Sequence, residues 1–306
     1  MTGLEADPRA TRRRITRFRR YMDEHVLGPD GFVCSRFNEC RRSRRQGDRF
    51  FQGQLSHVGH RYDLSLNGRP LRIVVVGQEY AFNSIVDGRL KRRRVTLDER
   101  YRMVTGGTGL QKRDVSADGY PSRNPHMRGT TKALRLLFGT GLGSDIEGEW
   151  IAPDHGPAFH IFDGFALVNR LLCSAGLPGH GQGRSTRTMR ANCLEHFNAS
   201  LRILEPTVLI LQGEGVQSWT EDALSDEEPI TPYLSWAQHA GGRALVCRFS
   251  HPSARGGKRW GDRTDSPYLL DRSTDDAGGE EAALAVLRAT QFSMLWWKDR
   301  SSPTRS

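Results

Sequence analysis

The sequence predicts an α/β protein, a three-layer α/β/α sandwich around a central sheet of four parallel strands. Two observations carry that expectation. Four short runs, LRIVVV (71–76), FALVN (165–169), TVLILQG (207–213) and ALVCRFS (244–250), are continuously apolar and rich in branched residues. Breakers such as Pro70, Gly77, Gly164 and Pro206 flank them. Runs of this length without polar alternation suit strands buried on both faces. Helical patterns at 130–138, 188–204 and about 216–224 lie between them, and strands alternating with helices wind a parallel sheet.

Taken in order, residues 8–27 form an arginine-rich helix. Ile15, Phe18, Met22 and Val26 recur at spacings of three and four and give it an apolar stripe for the core. Segment 34–49, CSRFNECRRSRRQGDR, reads as irregular, basic and cysteine-bearing. After the first strand comes a glycine-rich, basic insertion at 84–128, either a solvated face or a nucleic-acid groove. A last helix at 279–298, with Ala282, Leu284, Leu287, Phe292, Leu295 and Trp296, should pack back on the sheet. No internal repeat is visible. One domain over 1–306 is expected, decorated by the N-terminal basic helix and cysteine segment 1–60, the insertion and the C-terminal helix.

The 306 residues hold 45 Lys and Arg against 35 Asp and Glu, a net charge of +10. With 37% hydrophobic and 26% charged residues the chain can close a core, which excludes wholesale disorder. No apolar stretch reaches membrane-spanning length, and MTGLEADPRATRRR lacks the apolar region of a signal peptide. A soluble, cytoplasmic monomer that does not meet a membrane is expected. The preference for arginine over lysine suits bidentate phosphate contacts, and equally a GC-rich genome.

In open parallel sheets, ligands bind at the carboxyl ends of the strands. Here the first run ends in Gly77-Gln78-Glu79-Tyr80, the second in Asn169, and the fourth in His251-Pro252-Ser253. A carboxylate, an amide and an imidazole would converge on one crevice, as hydrolysis with base recognition requires. Each alone has an ordinary reading as a solvated Glu, a turn-capping Asn or a chance His-Pro-Ser. Their order, each at a strand end, is the specific signal.

These residues resemble the uracil-DNA glycosylase superfamily. GQE (77–79) is similar to its first motif, GQDPYH, and HPS (251–253) to its second, HPSPLS. VNRLLC (168–173) resembles the TNVVKC segment of the iron–sulfur branch. The run from Met189 to Pro206, with Cys193, resembles that branch's cysteine-bearing helix before a proline-led strand. RGTTKALRLL (128–137) is similar to the VGRSGRLL helix after the first motif. The likeness covers about 34–255, interrupted by the insertion.

The resemblance implies a DNA glycosylase that flips a pyrimidine out of the helix and hydrolyses its N-glycosidic bond. Glu79 would position water and stabilise the positive charge on the sugar, as carboxylates do in glycoside hydrolases. His251 would donate to O2 of the leaving base. Asn169 would read the pyrimidine edge with its paired donor and acceptor. Gln78 would offer mainly backbone N–H groups.

Some positions depart from the family pattern. Ala81 stands where the superfamily's best-known form has an aromatic that blocks 5-substituted pyrimidines. Met127 corresponds to the phenylalanine that stacks on the base, with Tyr80 or Phe82 as substitutes. The second motif lacks its wedge leucine and continues Ala254-Arg255-Gly256-Gly257-Lys258-Arg259. Arg255 would fill the gap in the duplex, and Ser253, Lys258, Arg259 and Arg128 would grip DNA. An open pocket floor and a basic insertion favour a bulky 5-modified cytosine, as in phage DNA, over uracil. Uracil repair is the alternative within the class, and a non-catalytic DNA-binding protein the alternative outside it.

Five cysteines in a cytoplasmic chain argue against a disulfide framework. By the resemblance, Cys34, Cys40, Cys173 and Cys193 would hold a [4Fe–4S] cluster of structural role, or Zn²⁺. Four ordinary thiols are the other reading. Cys247, within a strand, reads as a small buried hydrophobe. GHGQGRS (179–185) lacks the Walker pattern, so no nucleotide cofactor is expected. His126, His160, His180 and His196 show no metal-ligand spacing, and Trp296-Trp297 reads as core and interface.

Overall fold

Four apolar strands form the centre of the sheet in a computed structural model. It describes residues 3–28, 31–52, 55–78, 85–86, 89–90, 96–110, 125–140, 147–177, 183–231, 234–249 and 251. The expected helix at 279–298 and most of the loop at 179–185 lie outside the described residues. The seven sheet strands are β1 (His57–Val58), β2 (Ile73–Gly77), β3 (Phe165–Asn169), β4 (Val208–Gln212), β5 (Ser225–Thr231), β6 (Leu234–His239) and β7 (Gly242–Phe249). Their spatial order is β5-β6-β7-β4-β2-β3-β1.

The pairs β3–β2, β2–β4 and β4–β7 are parallel, and these four strands are the four apolar runs. The sheet is nonetheless mixed and larger than expected. Antiparallel β6 and β5 extend it beyond β7, and antiparallel β1 extends it beyond β3.

Alternation along each central strand divides the core. Val74 and Val76 of β2 join Ala166, Val168, Leu209, Leu211 and Val246 on one face. Ile73 and Val75 join Phe165, Leu167, Val208, Ile210 and Leu245 on the other. Because both faces are covered, every residue of β2, β3 and β4 is buried.

Helix α1 (Pro8–His25) and helix α5 (Arg187–Leu204) supply the first face, with Phe18 and Met22 from one and Met189, Cys193, Phe197, Leu201 and Leu204 from the other. Asp7 caps α1 by accepting from the N–H groups of Arg9 and Ala10, each at 2.9 Å, with Pro8 in the first turn. Those bonds hold the Asp7 carboxyl below its usual pKa. Arg14 turns inward from this basic helix. Its guanidinium meets both carboxylate oxygens of Asp63, the closest at 2.8 Å, and donates to Ile203 O. Thr186 caps α5, and Glu205 ends it in the left-handed conformation at φ 46° before Pro206.

Helix α4 (Pro125–Leu137) packs Ala133, Leu134 and Leu137 on the second face, starting five residues earlier than the sequence pattern. Two shorter helices were not expected as such. Helix α2 (Phe37–Arg42) lies in the cysteine segment, and α3 (Leu97–Arg102) lies in the insertion. A capping box between Thr96 and Glu99 starts α3, and a π-helical turn over Met103–Leu110 follows it. Leu97 and Val104 are buried, so this part of the insertion belongs to the core.

The N-terminus is tied down by a small sheet. Leu4–Ala6 pairs with Leu64–Leu66, which turns through Asn67 and Gly68 into Arg69–Leu71. Both turn residues have positive φ, 51° and 73°, the conformation a two-residue hairpin of this Asn-Gly kind needs. Among the described residues, no helix is long and apolar enough to cross a membrane.

Candidate active site

The carboxyl ends of β2, β3, β4 and β7 bring Gly77-Gln78, Asn169, Gln212-Gly213 and Phe249 to one rim of the sheet, with His251 two residues beyond β7. The register makes Asn169 the direct neighbour of Gly77. Two bonds extend that pairing past the strands: Arg170 N–H donates to Gly77 O at 2.8 Å, and Leu171 N–H to Gln78 O at 3.0 Å. On the other side, Gly213 N–H donates to Phe249 O at 2.8 Å. The four strand ends are thus stitched into a continuous edge.

Asn169 is only 7% exposed. Its Oδ1 lies 3.1 Å from the position a Cβ on Gly77 would take. The next residue, Arg170, anchors it. Arg170 is buried, donates to Trp219 O at 2.8 Å and to Arg190 O at 3.2 Å, and lies over the Phe197 ring.

His251 packs against Gly213, which adopts a φ of 110°. A Cβ there would meet the Cβ of His251 at 3.2 Å. The residue is exposed as a whole, yet the enclosed part of its ring holds its pKa below the usual histidine value. A neutral imidazole carries one N–H donor. Gln78 is half-buried, and its Oε1 lies 3.8 Å from the position a Cβ on Gly215 would take, in α6 (Glu214–Thr220).

Several expected site residues lie outside the described residues: Glu79, Tyr80, Ala81, Phe82, Ser253, Arg255, Lys258 and Arg259. Arg128 lies on α4, and only its backbone is described. Met127, expected to stack on the base, is 4% exposed and packed in the core cluster with Ile73 and Val75. The preceding residue faces the site instead. His126 Nε2 lies 3.7 Å from the same Cβ position on Gly77 that Asn169 approaches, and its ring centroid is 5.9 Å from that of His251.

Burial, together with the charges of His251 and Arg100, lowers the His126 pKa to about 3. In the sequence His126 stands out only as a histidine without metal-ligand spacing. The signal that marks it is positional, since the helix following a parallel strand begins on the carboxyl side of the sheet and turns its first residues toward the crevice. Gln212 and Thr130 were also missed. They share hydrogen bonds behind the rim, Gln212 Nε2 donating to Thr130 Oγ1 at 3.1 Å.

The cysteines of the N-terminal segment and α5 are neighbours. Burial raises the pKa of Cys34, Cys40 and Cys193, that of Cys193 to about 11; the charge of Cys34 adds to the rise at Cys40, and those of Cys34 and Cys40 to the rise at Cys193. Asn192 Nδ2 lies 3.5 Å from Cys40 Sγ, and His196 Nε2 lies 3.2 Å from Cys34 Sγ. Cys173 is buried in the same apolar cluster, on the strand Cys173–Gly176 that pairs with Arg49–Gln52. Among the described residues, however, no three or more His, Cys, Asp or Glu side chains form a group that could hold a metal ion. The thiols have the right chemistry for iron and sulfide but stand as neighbours, not as a preformed cage. Cys247 is fully buried within β7, and its pKa is pushed up to about 12.

No protein-family model matches the chain, and no curated protein matches it in sequence.

Proposed function

We propose that this protein is a DNA glycosylase that flips a pyrimidine nucleotide out of DNA and hydrolyses its N-glycosidic bond. Its preferred substrate on this reading is a bulky 5-modified cytosine, such as the glucosylated hydroxymethyl base of phage DNA, and its role is defence. The observation that carries the reading is that Gly77-Gln78, Asn169 and His251 lie at or just past the carboxyl ends of β2, β3 and β7, parallel strands of one sheet with β4 between β2 and β7. Fold class adds support, since helix-borne side chains line both faces of a sheet with four parallel central strands, as in the three-layer glycosylase sandwich.

In this mechanism the C1′–N bond breaks with its electron pair going to the base. Glu79 orients the water that adds to C1′ and takes up its proton, and its charge offsets that of the sugar. His251, neutral because burial lowers its pKa, donates its N–H to the base oxygen where negative charge grows. Asn169 holds the pyrimidine edge. Arg255 fills the gap left in the duplex, Arg128, Ser253, Lys258 and Arg259 grip the DNA, and the net charge of +10 favours the encounter.

The [4Fe–4S] cluster on Cys34, Cys40, Cys173 and Cys193 is part of the proposal in a structural role, tying the N-terminal segment to α5. Hydrolysis needs no electron from it. Anaerobic reconstitution followed by iron and sulfide analysis tests it, and protein that retains neither after desalting removes the cluster from the account.

The function is tested by abasic-site formation on matched DNAs carrying uracil, hydroxymethylated cytosine or glucosylated cytosine, read by alkaline strand cleavage. Breaks in the cytosine-modified DNA alone are expected. Breaks in uracil DNA alone would make it a repair enzyme. Salt-sensitive binding with no breaks in any DNA would make it a DNA-binding protein without the chemistry.

A further inference from the structure

We infer that His126 is the specificity-determining side chain of this site, accepting a hydrogen bond from the 4-amino group of the flipped cytosine together with Asn169. The inference rests on the glycosylase reading and names a residue and a contact which that reading does not contain.

Its basis is geometric. His126 is the second residue of α4, and its carbonyl accepts from Thr130 Oγ1 at 3.0 Å, which fixes the first turn. Its Nε2 and Asn169 Oδ1 stand 3.7 and 3.1 Å from one and the same position above Gly77. The two atoms are therefore at most 6.8 Å apart, and glycine puts no side chain of its own between them. Burial, more than the nearby charges, keeps the imidazole neutral, and the ring of His251 lies 5.9 Å away. With its proton on Nδ1, the ring presents Nε2 as an acceptor. An exocyclic amine has two N–H bonds and satisfies both acceptors at once. The 4-oxo group of a uracil has none and leaves both acceptors without partners, the buried Asn169 amide oxygen and the half-buried His126 nitrogen.

The test compares single-turnover abasic-site formation on two DNAs that differ only at position 4, one with 5-hydroxymethylcytosine and one with 5-hydroxymethyluracil. His126→Ala is expected to lose about 10- to 100-fold on the cytosine form and less than about threefold on the uracil form. Met127→Leu, next to it but turned into the core, is expected to leave the ratio unchanged.

A second measurement does not need turnover: binding to duplexes carrying the same bases on non-cleavable 2′-fluoroarabino sugars. Wild type is expected to prefer the cytosine analogue to an unmodified duplex, and His126→Ala to lose that preference while binding unmodified DNA as before. If both proteins keep the same preference and the same ratio, the role of His126 is overturned and the glycosylase reading stands. If wild type neither cleaves nor distinguishes any analogue, the glycosylase reading fails and takes this inference with it.

Discussion

The amide oxygen of Asn169 lies 3.1 Å from where a Cβ on Gly77 would stand, and the two residues are direct neighbours on parallel strands. That contact is tighter than side chains normally tolerate, so any residue but glycine moves the amide. Gly77→Ala is therefore expected to cost activity far more than stability. A displacement of a few tenths of an ångström at a base-reading group should lower kcat/KM about 10-fold or more. Thermal unfolding should change by less than about 1 kcal/mol. Equal loss of both would show that Gly77 serves the sheet and not the site.

Arg170 holds the backbone next to Asn169 by two donations to carbonyls and by its stacking on Phe197. Arg170→Met keeps much of the packing and removes the donors. Leaving the carbonyls of Trp219 and Arg190 without them should destabilise the protein by about 2 kcal/mol or more. Urea unfolding measures this directly.

The buried pair of Arg14 and Asp63 joins α1 to the small N-terminal sheet. Both residues are less than one-tenth exposed. Arg14→Met strands a carboxylate in the core and should cost about 3–5 kcal/mol. Arg14→Met combined with Asp63→Leu should recover part of that loss, because no charge is then left without its partner.

His57 gives stability a pH dependence with a definite sign. It is fully buried, its Nε2 donates to Phe162 O at 2.9 Å, and its Nδ1 has no hydrogen-bond partner among the described residues. Burial lowers its pKa from 6.5 to about 3. Between those values the unfolded chain binds the extra proton and the folded chain does not. Stability is therefore complete above about pH 6.5 and declines as the pH falls toward 3, by about 2 kcal/mol from this residue at pH 5. His57→Gln, which keeps a donor for Phe162 O, should flatten that decline in urea unfolding at pH 5 against pH 7.

The central strands were legible because burial on both faces writes an uninterrupted apolar run, as in Ile73–Gly77 and Val208–Gln212. The sheet's outer strand was not. Ser225–Thr231 carries Asp226, Glu227, Glu228 and Pro229, the polar and proline-bearing composition that protects an edge. Its Glu227 and Glu228 pair with Arg248 and Arg243 of β7, contacts that no local pattern discloses. Helix α2 was hidden by the basic run around it, and Cys40 is its one buried residue.

At the site, Gln78, Asn169 and His251 were legible because the end of a parallel strand is a position that sequence marks. His126 was not, because a histidine beside a methionine at the start of a helix looks alike whichever of the two faces the sheet. Only the rotation of α4 decides that Met127 enters the core and His126 meets Gly77.

The most direct measurement is single-turnover abasic-site formation by wild type, Asn169→Ala and His251→Ala on hydroxymethylcytosine DNA, with duplex binding followed in parallel. The account predicts abasic sites from wild type, a fall of about 100-fold or more in each variant, and DNA binding within about twofold of wild type. Variants that cleave as well as wild type, or a wild type that binds DNA and never releases a base, would contradict it.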